Sequence, residues 1–117
     1  MKFMFLLRED LAAAGSMTSE QITQSIVRVT RWVEELATSG HFISGEPLEP
    51  QVRMVTRKTV LTDGPFIDAK DGISGYFIIQ AANLEQAAAI AQTCPELEYI
   101  YGIEVRPVME LSADEPH

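Results

Sequence analysis

The chain has 117 residues, 46% of them hydrophobic and 22% charged, close to a globular average, which excludes disorder as its default state. Nine Lys and Arg against 17 Asp and Glu give a net charge of −8, so there is no basic surface for nucleic acid or an anionic membrane. Cys94 is the single cysteine, which rules out an internal disulfide, and the length suits about one domain with a modest core.

Lys2 to Arg8 is short, apolar and rich in Phe and Leu, and reads as a strand buried on both faces, or nearly so. Its apolar run breaks at Arg8-Glu9-Asp10, too early for a signal peptide. No later stretch has the length to span a bilayer, so a cytoplasmic protein is expected. Glu9 to Ser16, with Gly15, reads as a loop. Ile22, Ile26, Val29, Val33 and Leu36 then recur at alternating spacings of four and three, the period of one helix face. Thr18 as N-cap with Gln21 three residues on makes a capping-box pattern, and Met17 with Ile22 fits a hydrophobic staple. Gly40 stands where a left-handed residue ends a helix, so the helix is predicted over about residues 19 to 39.

His41-Phe42-Ile43 reads as a short strand, and Gly45 to Pro50, with two prolines, as a connection. Val52 to Thr56 and Thr59 to Thr62 predict a hairpin around Arg57-Lys58. Asp63-Gly64-Pro65-Phe66 carries turn chemistry: an Asp that bonds its own backbone, a permissive Gly and a Pro that fixes φ. Gly75 to Ala81 reads as an inner strand. Asn83 with Gln86 predicts the cap of a second helix, whose Leu84, Ala87, Ala88 and Ala91 share one face, and Pro95 ends it. Ile103, Val105 and Met109 alternate with Glu104, Arg106 and Glu110 in a half-buried strand, and Pro107 suits its position at an edge. Leu111 to His117 is a polar tail, leaving one domain over residues 2–110.

Strand, helix, strands, strand, helix, strand is the order of an α+β, ferredoxin-like split βαβ plan with an antiparallel sheet. Helices on one face of such a sheet leave the other in need of a cover, which a second copy would supply; a homodimer is expected.

Asp63-Gly64-Pro65-Phe66-Ile67-Asp68-Ala69-Lys70-Asp71 followed by Ile73-Ser74-Gly75-Tyr76 resembles the signature of the DGPF proteins of the YCII-like family. Glu104-Val105-Arg106-Pro107-Val108 is similar to that family's closing strand, and Trp32 to Leu36 before Gly40, with Gly45-Glu46-Pro47-Leu48, also fits. The resemblance spans roughly residues 2 to 110. It implies a dimeric α/β barrel and a bacterial protein whose relatives often accompany extracytoplasmic-function sigma factors. One branch of the family is credited with removing halide from a chlorinated muconate-type compound through a His–Asp pair. Here residues 18 to 39 contain no His, and Cys94-Pro95 stands where that branch has Asp-Pro, so its chemistry is not carried over.

Asp63 is the leading carboxylate, either a general base at a cleft with Lys70 lowering its pKa or the side chain that closes its own turn. His41 either lines the same cleft or caps the first helix, where a His interacts well with the negative helix end. Arg53, Arg106 and Glu104, with Tyr76 as hydroxyl donor, are candidates for a polar site in which an Arg grips a carboxylate bidentately. Asp63, Asp68 and Asp71 lack the spacing of a calcium loop, and neither a metal nor a cofactor is expected. Trp32 reads as core or interface, and Cys94 as a buried, inert thiol. Two functions stand side by side. One is a homodimeric small-ligand-binding accessory, associated with an extracytoplasmic-function sigma factor. The other is a cofactor-free lyase or isomerase acting on a small organic acid, with Asp63 or His41 as acid/base.

Overall fold

Phe3, Phe5 and Leu7 alternate along the first strand, β1 (Lys2–Glu9), and all three are buried. The computed structural model describes residues 1–10, 16–62 and 72–111. After β1 come α1 (Ser19–Thr38), β2 (Phe42–Pro47) and a small hairpin of β3 (Met54–Val55) and β4 (Val60–Leu61). Next are β5 (Gly72–Gln80), α2 (Leu84–Gln92), a 3-10 turn at Pro95–Glu98 and β6 (Gly102–Pro107). The sheet runs β2-β5-β1-β6 with every pairing antiparallel, while β3 and β4 pair only with each other. Among the described residues the fold is thus mixed α and β, with two helices against a four-stranded antiparallel sheet.

Side-chain alternation divides the sheet into two unlike faces. Phe3, Phe5, Leu7 and Ile79 point towards the helices and form the core with Trp32, Leu36, Ala87, Ala91, Cys94 and Ile100. Phe3, Phe5 and Ile79 are fully buried, each stabilising the fold by about 1.5–3 kcal/mol. Register puts Met4, Leu6, Arg8, Tyr76, Ile78, Glu104 and Arg106 on the opposite, open face.

Thr18 and Gln21 close the capping box in both directions at the start of α1. At its end the amides of Gly40 and His41 donate to Ala37 and Leu36, with Gly40 at φ +81°. The buried line of this helix is Ser25, Trp32 and Leu36, with Val29 and Val33 half-buried. Ile22 and Ile26, which the spacing assigns to the core, are 45% and 61% exposed. On α2 only Ala87 and Ala91 are buried, whereas Leu84 and Ala88 are exposed. β2 runs on through Pro47 where a connection is expected, because it is an edge strand and Pro47 ends it. The Asp63–Phe66 turn lies outside the described residues, as does the tail from residue 112.

Candidate functional site

The first half of α1 is positioned from the side. Ser25, Arg28 and Trp32 recur on one flank of the helix and all bond to the segment after α2. Ser25 Oγ donates to Glu96 Oε1 at 2.7 Å, Arg28 Nη1 meets Glu98 Oε2 at 2.6 Å, and Trp32 Nε1 donates to Thr93 Oγ1 at 2.8 Å. The Thr93 hydroxyl in turn donates to the Ile90 carbonyl at 2.6 Å, closing α2. The neighbouring stripe of α1 is held over the sheet without being packed onto it.

Beneath that stripe the sheet carries Gly45 and Gly75, which have no side chains to fill the gap. A Cβ on Gly45 would strike the Phe77 ring and lie 2.8 Å from the Tyr76 carbonyl, so the glycine is what admits Phe77. Phe77 is itself fixed edge-on by Trp32, at 5.3 Å between centroids, and by Phe42 at 6.3 Å. The result is a cavity of about 420 Å³. Ile26, Val29 and Thr30 roof it; Leu7, Gly45, Gly75 and Phe77 form its floor; Glu9, Pro47, Leu48 and Glu96 stand round it. That volume lies within the range of about 300–1,000 Å³ usual for small-molecule sites. A groove of about 520 Å³ between α2 and β6 is shallower and floored by alanines.

Of the residues singled out in the sequence, His41, Arg53 and Arg106 do not line this cavity. His41 is opposite Gln80: it accepts that residue's amide at 2.7 Å, and its Nδ1 lies 2.7 Å from the Gln80 carbonyl. Gln80 is five residues beyond Gly75, roughly 17 Å along the strand at about 3.4 Å per residue. The His41 ring binds the adjacent strand, and its backbone amide rather than its ring closes α1. Arg53 is exposed and donates to the Val52 carbonyl at 2.8 Å. Arg106 is on the open face, its Nε 3.8 Å from Glu104 Oε2, and Glu104 takes a shorter bond of 2.7 Å from Arg8 Nη2. That bond to Arg8 holds the Glu104 carboxyl below the usual carboxylate range. Tyr76 shares the open face with Arg106, although its stretch of β5 borders the cavity. Asp63 and Lys70 lie outside the described residues.

Glu9, Ser25 and Glu96 were missed from sequence. Nothing in a single Glu of an extended strand or of a Pro-Glu-Leu-Glu turn marks it as cavity-lining. Ser25 did leave a trace, as a small polar residue on the flank of an apolar stripe. Cys94 is buried, and burial pushes its thiol up to about 11. Among the described residues no group of three or more His, Cys, Asp or Glu is placed to hold a metal, and no helix is long and apolar enough to cross a membrane.

A family model described as the YCII-related domain matches residues 1–112. Among solved structures the chain is similar to 5-chloro-2-hydroxyhydroquinone dehydrochlorinase (TftG) from Burkholderia phenoliruptrix AC1100, determined in complex with 2,5-dihydroxybenzoquinone. The two share 13% identity and a TM-score of 0.56, over 93% of this chain and 94% of that one, a likeness of fold. No curated protein sequence matches the chain.

Proposed function

The chain belongs to the YCII-related domain family, and we propose that it binds a small molecule in the cavity beneath α1 and works as a homodimer. One observation carries the ligand reading. An apolar helix face at core spacing, Ile26 and Val29, is held by polar bonds on its flank above a space that no described side chain of the sheet fills. Apolar surface left unpacked costs stability, and a bound molecule repays that cost. The solved structure of similar fold also holds a small cyclic molecule.

The homodimer rests on the open face. Met4, Leu6 and Ile78 stand there beside Tyr76, apolar residues on the side of the sheet that no described helix covers. A second copy packed sheet to sheet would cover them and complete a dimeric barrel of ferredoxin-like subunits. A cytoplasmic accessory role beside an extracytoplasmic-function sigma factor belongs to the same proposal and rests on the family resemblance. The rival reading, a cofactor-free lyase or isomerase acting on a small organic acid, has Asp63 or His41 as its acid/base; of the described carboxylates Glu96 lines the cavity, and His41 does not.

The test is a thermal-shift screen of small metabolites on the wild type and on Val29→Trp, which fills the cavity. A binder should raise the melting temperature of the wild type alone. Equal shifts in both proteins would place the ligand elsewhere and end the reading.

A further inference from the structure

We propose that the molecule this cavity takes is a small organic cation, an amine carried on an apolar body. The inference rests on the ligand-binding reading and deepens it by naming the ligand's charge. Among the described residues, the lining supplies Leu7, Ile26, Val29, Leu48 and Phe77 as apolar wall and no Lys, Arg or His. Its charged groups are all carboxylates. Glu9 is two residues on from Leu7, across the bulge in β1, and Glu96 sits at the 3-10 turn. Glu46 borders the space through its backbone only, since it pairs with Tyr76 and its side chain shares that residue's open face.

The geometry of Glu96 makes it the anchor. Its Oε1 takes one bond, from Ser25 Oγ at 2.7 Å, which fixes the side chain to α1. An ionised carboxylate can accept about four bonds, so acceptor capacity remains for a ligand. Ser25 acts through Glu96 and is a positioning residue. The cations that could have neutralised the site are engaged elsewhere: Arg28 pairs with Glu98, and Arg106 stands on the other face of the sheet.

An organic acid entering this space would meet like charges with no described cation to offset them. A neutral ligand would desolvate the carboxylates without pairing them. An ammonium group answers both, through charge-assisted bonds to Glu96 and Glu9, while its apolar body lies on Val29 and Phe77. The net charge of −8 draws cations towards the surface in the same sense.

Three probes of one shape separate the alternatives: benzylamine, benzyl alcohol and benzoate, titrated into the whole chain while the methyl signals of Ile26 and Val29 are followed by NMR. The expected result is that benzylamine binds at least about tenfold more tightly than the alcohol, with benzoate weakest. Glu96→Gln and, separately, Glu9→Gln should each erase most of that preference. Added salt should weaken the amine and leave the alcohol unchanged. Benzoate or the alcohol shifting those methyls as tightly as the amine would overturn the charge inference and leave the ligand site standing. Silence from all three would overturn both.

Discussion

Trp32→Phe tests the flank that holds α1 over the cavity. Trp32 is 6% exposed and its indole N–H donates to Thr93 Oγ1 at 2.8 Å. Phenylalanine removes that bond, worth about 1 kcal/mol net, since exposed Thr93 regains water and keeps its own bond to Ile90. Shrinking the indole also opens a small void against Phe77, for a further ~1–2 kcal/mol. The sum is about 2–3 kcal/mol, which lowers the urea midpoint by about 1–1.5 M at an unchanged m-value of about 2 kcal/mol/M. A double-mutant cycle with Thr93→Val should return a coupling near 1 kcal/mol. A loss below about 0.5 kcal/mol, or a coupling near zero, would refute the idea that this contact anchors the helix.

Gly45→Ala pushes a methyl into the Phe77 ring and should cost about 1–3 kcal/mol in equilibrium unfolding; a neutral result would mean Phe77 is free to move. Cys94 has its thiol raised from 9.0 to about 11 by burial, so the unfolded chain ionises first. Stability from the protonated thiol is therefore full below pH 9 and lost as pH rises towards 11, and Cys94→Ala should flatten that decline. Identical alkaline profiles for the two proteins would contradict it. Glu104 titrates low because Arg8 bonds its charged form, so its contribution is present above the ordinary carboxylate pKa and is lost as pH falls through the lowered one. Glu104→Gln should make the acid limb of the stability curve shallower, and superimposable limbs would count against the pair.

Local signals carried most of the fold because the groups that create them lie within a few residues of one another. Thr18 with Gln21, Asn83 with Gln86, and Gly40 with Ala37 each complete a bond across three positions. In β1 apolar residues occupy both faces, which reads as burial on both sides, yet only Phe3, Phe5 and Leu7 are buried, because the helices cover one face of the sheet. Periodicity failed at Ile22 and Ile26, because which side of α1 faces the sheet is decided by Ser25, Arg28 and Trp32 reaching residues about 60 to 70 positions away. The cavity was illegible on the same ground: it is a space between Val29 and Gly75, brought together only by tertiary structure. Arg53 and Arg106 were reasonable anchors for an acid by residue type, yet strand register sends Arg106 to the opposite face.

Whether a molecule occupies the space beneath α1 decides the proposed function. The most direct measurement is a crystal structure after soaking with a cocktail of small cyclic amines, alcohols and acids. The expected result is density for one molecule between Val29, Gly75 and Phe77, within hydrogen-bond reach of Glu96. Molecules ordered only elsewhere, with the cavity closed by a shift of α1 onto the sheet, would contradict it.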